Sequence, residues 1–485
     1  MKKILSAASS LVSAFLVTLT TVALFSSNAN AADGGYCVVV SKPTNDNPEW
    51  HLVVTALTEK HRANVLVYDK KVDEVLPELK KQFPRYACFV APPSEVTRDF
   101  VAQVHRVSRN LNDDPYPDVL WGILTGYDAA NALRIVKVKE PLVIHKAAAG
   151  TDIALKVCDA GICYNEGVAG KIVRKESGKE PVEEKGPTDS TEALVKTLSE
   201  YKADLFVTSG HATERDWQIG YSYRNGQFRS AAGQLFGVDL KGNKLPVRSE
   251  NPKVYLAVGN CLMGHINGPD SMALAFMNSA DVTQMVAYTD LTWYGYAGWG
   301  MLDYFVEQPG RYTVAEAFLA NNTALIQRLK TYFPEVYSEE MLDENKPLRG
   351  PVPDAAKKAG LTWQDYKGLM YDRDRIVLYG DPAWSAKMAP GEMGWEQSLQ
   401  EMKGGFDFEI RPKLDEKSFD RVDGNGSQRG GRPFVQIFPR RVHFKKVKFS
   451  EGEDLQPVVT ENLLLIPRPE KCDGSRVYRV VFREE

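Results

Sequence analysis

The sequence predicts an α/β protein with a parallel-sheet core, followed by a small all-β sandwich. Three observations carry this. From Tyr36 onward, short runs of β-branched and aromatic residues alternate with helical stretches of about ten to seventeen residues, the spacing of βαβ units. Two later runs, within 204–217 and 253–264, open on apolar residues and stop in small and polar ones, as buried strands ending in tight turns do. After Trp384 the helical periodicity gives way to alternating runs separated by Gly, Pro and Asp.

In chain order, residues 36–41 form the first expected strand. A helix follows over 48–63, with Pro48 and Glu49 in its first turn. A strand over 64–68, a helix over 72–83 and a strand over 86–90 come next. The helix expected over 94–110 takes Ser94 as its cap. Runs 119–124 and 142–145 are further strands. Residues 171–189, rich in Lys, Glu and Gly, read as a solvated loop or protease-sensitive linker. A helix over 190–201 then leads into the strand before His211. After Cys261 come a helix near 270–279, a strand over 282–291 and helices near 299–308 and over 314–333. In the last 81 residues the alternating runs are 406–410, 434–438, 442–449, 463–467 and 477–482.

A chain of 485 residues exceeds one compact core, so two or three domains are expected. The net charge of −3 and the lack of a basic stripe give no argument for nucleic acid. Met1-Lys-Lys, an apolar stretch from Ile4 to Phe25 and Ala29-Asn-Ala31 form a secretory signal pattern, with cleavage expected after Ala31. The apolar run is long enough that an uncleaved anchor is the alternative. No later run suits a membrane span, so a secreted or periplasmic mature chain is expected. Of the six cysteines, Cys158 and Cys163 could close a small loop, and Cys37 and Cys88 fall on expected neighbouring strands. Disulfides suit that compartment and buried thiols suit those strands equally, so no pairing is assigned.

His211 and Cys261 close the two apolar strands, fifty positions apart. By itself a Cys at a strand end reads as a small buried hydrophobe. If the strands are neighbours, however, both side chains reach the crevice beyond their carboxyl ends, where α/β proteins collect reactive groups. A thiol and an imidazole there suit nucleophilic acyl transfer. No His-Glu-x-x-His, paired Cys-x-x-Cys or Gly-x-Ser-x-Gly is present, so the zinc peptidase and serine hydrolase classes lack their residues.

The run His211-Ala-Thr213-Glu214-Arg-Asp-Trp217, the run Leu256-Ala-Val-Gly-Asn-Cys261 with Gly264, and Tyr379-Gly-Asp-Pro-Ala383 together resemble the gingipain family of cysteine peptidases, in the caspase-like clan. The resemblance spans about residues 36–388. It implies a core of two α/β subdomains, 32–150 and 151–390, with the catalytic pair in the second, and an immunoglobulin-like β-sandwich over 400–485. It implies Cys261 as nucleophile and His211 as general base and acid. The oxyanion donors would be the N–H groups of Cys261 and Ala212, where the family usually has Gly. An acid from an earlier loop would orient the imidazole: Asp152 is the candidate, with Asp118 and Asp128 as alternatives that also read as turn or cap residues. Cys261 would head a following helix and feel its dipole. Trp293 would wall the specificity pocket, and Glu214 and Trp217 would also meet substrate. His265 reads as structural or substrate-contacting.

The nearest acid to Trp293 is Asp290, so an aromatic wall for a long or flat side chain is expected without a strict basic preference. No cofactor is required, and the turn Asn112-Asp-Asp-Pro-Tyr-Pro-Asp118 would suit a structural calcium if it binds one. The expected function is that of a secreted cysteine endopeptidase acting on protein or peptide substrates through an acyl-enzyme. The alternatives are a catalytically weak or inactive binding or assembly protein on the same fold and a sorting-type transpeptidase.

Overall fold

The computed structural model of the chain describes residues 35–338, 350–442, 444 and 446–484. The expected signal segment, 1–31, lies outside the described residues. The first half of the core contributes β1 (Tyr36–Ser41), β2 (Asn64–Tyr68), β3 (Tyr86–Val90), β4 (Leu120–Leu124), β5 (Leu142–Ile144), β6 (Lys146–Ala149), β7 (Ala160–Tyr164), β8 (Lys171–Lys175) and β9 (Val182–Lys185). The second half contributes β10 (Leu205–Gly210), β11 (Asp216–Gln218), β12 (Gln227–Ala231), β13 (Gln234–Val238), β14 (Lys244–Pro246), β15 (Lys253–Asn260), β16 (Val282–Tyr288), β17 (Ile376–Tyr379) and β18 (Ala386–Met388).

Twelve of these form one mixed sheet in the order β2-β1-β3-β4-β17-β16-β15-β10-β6-β7-β8-β9. β1 to β4 and β17 run parallel to one another, and so do β6, β7, β10, β15 and β16. β16 meets β17 antiparallel, so the strand direction reverses in mid-sheet. The carboxyl ends of β10 and β15 therefore open at the rim opposite to those of β1, β3 and β4. Helices cover the sheet, and the central strands β15 and β16 are buried at every residue but Gly259, as both-sided burial demands.

Several expected elements shift. The helix expected over 94–110 is Arg98–Ser108, and its cap is Thr97, whose Oγ1 accepts from Phe100 N at 3.1 Å, not Ser94. Residues 171–189 are not a loop: β8 and β9 pair antiparallel and close the sheet edge. β9 is exposed at every residue, with Lys171–Glu183 and Arg174–Glu184 joined across the pair at 3.1 Å each. A charged edge hairpin keeps further strands from adding to the sheet. Between His211 and β15 the chain forms a small antiparallel sheet, β11-β12-β13-β14, that the apolar pattern did not reveal. All six cysteines are free. Cys37 and Cys88 are one residue out of register, so their side chains leave opposite faces of the sheet.

The C-terminal part packs β19 (Trp395–Met402), β20 (Gly405–Pro412), β22 (Val447–Glu451) and β25 (Tyr478–Glu484) against a second sheet of β21 (Phe434–Ile437), β23 (Val458–Val459) and β24 (Leu463–Ile466). Phe434, Leu464 and Ile466 enter the sandwich interior beside Phe406, Phe408 and Phe482. The alternate residues Val435, Leu463 and Leu465 join the main core instead. The second sheet thus has both faces buried, and the described residues form one compact unit.

One polar knot ties the ends of the core together. Asp381, 1% exposed, accepts from Tyr36 OH at 2.8 Å and lies 2.7 Å from His61 Nε2 and 3.0 Å from Lys60 Nζ. Burial alone would raise its pKa, but Lys60 and His61 outweigh that and hold it well below the usual carboxylate range. A depressed folded pKa stabilises the fold above the unfolded value, and that stability is lost as pH falls below about 4. Asp381→Asn leaves Lys60 buried without its counter-charge and is expected to cost roughly 3–5 kcal/mol in urea unfolding at pH 7. The variant's midpoint should also fall less than the wild type's between pH 5 and pH 3.

Candidate active site

β10 and β15 are parallel neighbours, and their last paired residues are Gly210 and Asn260. His211 and Cys261 are the next residues on each strand, so the pair emerges side by side from one rim of the sheet, about 5 Å apart at the backbone. Asn260 fastens this arrangement. It is fully buried, donates through Nδ2 to Gly210 O at 3.0 Å and accepts from Thr208 Oγ1 at 2.5 Å. Gly259 allows the close approach beneath: a Cβ there would lie 2.6 Å from Ser209 Oγ and 2.9 Å from the Trp299 ring.

Beyond Cys261 the chain does not enter a helix. Residues 261–264 form a turn, Leu262 takes a left-handed φ of 60°, and the next helix begins at Met272. The expected helix dipole on the thiol is therefore absent. The turn is pinned to the end of β16 by Leu262 N to Asp290 O (2.9 Å) and Gly264 N to Tyr288 O (2.8 Å). The nearest donor to the sulfur is Thr292 N–H, which reaches Cys261 Sγ at 3.2 Å, while Thr292 Oγ1 donates to Asn260 O at 2.9 Å. Cys261 is partly exposed, whereas Cys37, Cys88, Cys158 and Cys163 are buried, and burial pushes the thiols of Cys37 and Cys158 up to about 12.

His211 is exposed, and its ring stacks on Tyr221 at 4.8 Å. Among the described residues its imidazole has no hydrogen-bonded carboxylate. Ala212 lies outside the left-handed region, so an Ala fits that backbone without strain.

Asp152 does not serve His211. Its Oδ2 accepts from Asn165 Nδ2 at 2.6 Å. A carboxylate close to the end of β10 is Glu166, after β7: a Cβ on Gly210 would lie 3.7 Å from its Oε2. Glu166 Oε1 accepts from Thr151 Oγ1 at 2.9 Å, and its Oε2 is buried without a hydrogen-bond partner. Its backbone carbonyl accepts from Tyr221 N at 2.6 Å and so holds the ring that stacks on His211. Burial raises the Glu166 pKa, Thr151 and Ser209 oppose that, and the Asp152 charge adds to the rise. No strand-end pattern flags Glu166 in the sequence, because β7, the short strand it follows, is not among the expected strands.

Trp217 cannot touch substrate. It is fully buried, donates from Nε1 to Ser209 O at 2.8 Å and stacks on Phe228. Its ring fills the space over Gly150, where a Cβ would lie 2.3 Å away. Glu214 is half-buried and accepts from Asn267 Nδ2 at 3.4 Å. His265 faces Arg98 Nη2 through Nδ1 at 3.3 Å, and burial and Arg98 lower its pKa. Asp128 caps the helix Ala129–Lys137. Trp293 is 43% exposed beside Thr292.

Away from this rim, Asp114, Asp118 and Glu461 bring carboxylate oxygens within 4.8 Å of one another, a hard oxygen set of the kind divalent cations take. Burial and the neighbouring charges of Asp114 and Glu461 push Asp118 up to about 8. Asn112 Nδ2 and Leu111 N already bond to this group. Among the described residues no helix is long and apolar enough to cross a membrane.

No protein-family model and no curated protein matches the chain. The solved structures similar in fold include the following two. One is gingipain R, an Arg-specific cysteine proteinase, at 10% identity and a TM-score of 0.46, covering 91% of this chain and 93% of the other. A second, described only as a protease, is 8% identical with a TM-score of 0.37, covering 93% of this chain and 95% of the other.

Two variants probe the geometry. Asn260→Ala removes the side-chain donor to the Gly210 carbonyl and one of the two partners of the Thr208 hydroxyl, which keeps Tyr255, and should cost about 1–3 kcal/mol in chemical unfolding. Tyr221→Ala removes the ring that stacks on His211 and should lower the rate of iodoacetamide alkylation at Cys261 by roughly tenfold or more, with an unchanged unfolding midpoint.

Proposed function

We propose that the protein is an exported cysteine endopeptidase. The observation that supports this best is the register of β10 and β15, whose last pair, Gly210 and Asn260, is followed at once by an exposed imidazole and a partly exposed thiol. The N-terminal signal pattern supports the export.

In this reading His211 takes the thiol proton, and the Thr292 N–H stabilises the sulfur as it gains charge. The thiolate attacks the scissile carbonyl, forming the C–S bond as the carbonyl π electrons move to oxygen. The N–H groups of Cys261 and Ala212 are the candidate donors to that oxyanion. The imidazolium then protonates the leaving amine as the C–N bond breaks. Water, deprotonated by the same imidazole, hydrolyses the thioester and restores the thiol. Glu166 replaces Asp152 as the group that positions His211, acting through Tyr221 and the strand end.

One observation favours a second reading, a binding protein without turnover: no carboxylate among the described residues bonds the His211 imidazole directly. The experiment that separates the two uses mature protein, a mixed peptide library and an acyloxymethyl ketone probe. For the peptidase, Cys261→Ala should abolish labelling and lower hydrolysis by at least ~10³-fold, with His211→Ala close behind. Hydrolysis that survives Cys261→Ala would remove the reading, as would a folded wild type inert in both assays. Product ligation to an added amine would instead mark transpeptidation.

A further inference from the structure

The loop between β20 and β21 leaves the sandwich and reaches the supports of the candidate site. Three consecutive residues of it, Asn425, Gly426 and Ser427, each meet a different part. Asn425 meets the imidazole flank. Its Nδ2 donates to Thr151 Oγ1 at 2.8 Å and to Asp152 O at 2.9 Å. Gly150 N, one residue before Thr151, donates to Val207 O on β10 at 2.9 Å, so this segment lies along the strand that ends at His211. Thr151 Oγ1 donates onward to Glu166 Oε1 at 2.9 Å. The Glu166 carbonyl holds Tyr221 N, and the Tyr221 ring stacks on His211.

Gly426 meets the floor under the pair. A Cβ there would lie 2.3 Å from the Trp299 ring. The same ring reaches Gly259, two residues before Cys261, where a Cβ would lie 2.9 Å away. One buried indole thus packs the loop against the end of β15, and close packing passes displacement from one to the other. Ser427 meets the thiol flank. Its Oγ donates to Tyr294 O at 3.0 Å, two residues beyond Thr292, whose N–H meets Cys261 Sγ at 3.2 Å. Gly295 leaves room for that hydroxyl, since a Cβ there would lie 2.3 Å from Ser427 Oγ.

Other groups hold the loop at its base. Arg429 and Arg432 pair with Asp303 at 2.7 and 2.8 Å, and Val422 N donates to Glu307 Oε2 at 3.2 Å. Arg429 Nη1 also donates to Asn425 O at 2.7 Å, which ties the tip to the anchors. A segment with glycine at 424, 426, 430 and 431 is costly to order, and the buried ion pairs offset that cost. The anchors attach the sandwich to the core. The contacts of residues 425–427 are additional to that attachment, and they span both flanks of the thiol and the imidazole. Among the described residues no carboxylate bonds the His211 ring, so its placement depends on supports of this indirect kind.

Resting on the peptidase reading, we propose that Asn425 and Ser427 are positioning residues for the reaction. The sandwich loop straps the imidazole flank to the thiol flank and so sets the spacing of His211 and Cys261. The sandwich is in this way a part of the catalytic unit.

The test is steady-state kinetics of the mature full chain on a peptide that the wild type cleaves, with the rate of acyloxymethyl ketone labelling at Cys261 read in parallel. Asn425→Ala and, separately, Ser427→Ala should lower kcat about 10–100-fold with KM held within about twofold, because misplaced reacting groups slow the chemical step and leave substrate binding alone. Labelling should slow in step. Asn425→Asp keeps the side-chain shape and removes only the amide hydrogens, so it should match Asn425→Ala and serves where the alanine variant is unstable. Each variant is assayed where circular dichroism shows it folded. Thr151→Ala combined with Asn425→Ala should cost little more than either alone, since both cut one chain of hydrogen bonds. Ser475→Ala, in an exposed turn of the sandwich after β24, should match the wild type. A wild-type kcat in folded Asn425→Ala and Ser427→Ala would overturn the inference and leave the peptidase standing, as would losses that follow the folded fraction alone or add fully in the double variant. A folded wild type that neither cleaves peptides nor takes the probe would remove the peptidase and this inference together.

Discussion

The parallel pairing of β10 with β15 is the constraint on which the candidate site depends. Side chains alternate between the faces of a sheet, so a slip of one residue would send one partner to the opposite face. The ladder shows how the chain meets this demand. Its register shifts at Thr208/Ser209, with two pairs left before the strands end. Asn260 then spans the pair by side chain, from Thr208 to Gly210 O, and fixes the final alignment. A buried Asn is costly unless both ends of its amide are satisfied, and here each has a partner. The residue before the thiol thereby sets the position of the residue after Gly210.

Beneath the strand ends lies a layer that is packed rather than charged. Trp217 covers Gly150, and Trp299 reaches Ser209 through the missing side chain of Gly259. The loop between β20 and β21 completes this layer from the sandwich side. Asn425 donates to Thr151 Oγ1 at 2.8 Å, and Thr151 in turn donates to Glu166. Gly426, at φ 95°, lies against the Trp299 face, where a Cβ would come within 2.3 Å. Arg429 and Arg432 anchor the loop to Asp303 at 2.7 and 2.8 Å, and Arg429 also reaches Glu307. These charges are buried, so the loop is held by groups that lose strongly if separated. The sandwich is thus continuous with the support of the site, and the both-sided burial of β21 and β24 makes that support stiff.

Legibility from the sequence followed local signal strength. β1, β3, β4, β10, β15 and β16 are near-continuous apolar runs, and periodicity alone locates them. His211 and Cys261 could be singled out because each closes such a run. β8 and β9 stayed hidden because an exposed edge hairpin carries charge at strand positions. Glu166 lies between β7 and β8 and carries no strand-end signal, since β7 is a short inner strand without a long apolar run. Trp217 lay in a motif with polar neighbours and read as a surface residue; tertiary burial under β12 reversed this. Asp152 lies in the loop after β6, and its side chain answers to Asn165, a contact thirteen residues away that no local pattern encodes.

A second constellation in the molecule shows why residue types alone do not define a site. Tyr36, His61, Asp381 and Cys88 include an imidazole, a carboxylate and a thiol, with His61 bonded to Asp381 and stacked on Tyr36 at 4.2 Å. By inventory it resembles catalytic machinery more closely than the rim does, since its histidine has the carboxylate that His211 lacks. Yet Cys88, Tyr36 and Asp381 are buried, and burial, followed by the Asp381 charge, pushes the Cys88 thiol far above its ordinary value. A thiol so held stays protonated, and no peptide can reach it. At the rim the balance is reversed: Cys261 is open to a substrate and has a backbone N–H to steady its negative charge, but its imidazole must be oriented indirectly. Access is what a buried cluster cannot acquire, whereas orientation can be supplied by a stacked ring and a supported strand end. That asymmetry is the reason to place the chemistry at His211 and Cys261 and to assign the Asp381 knot to stability.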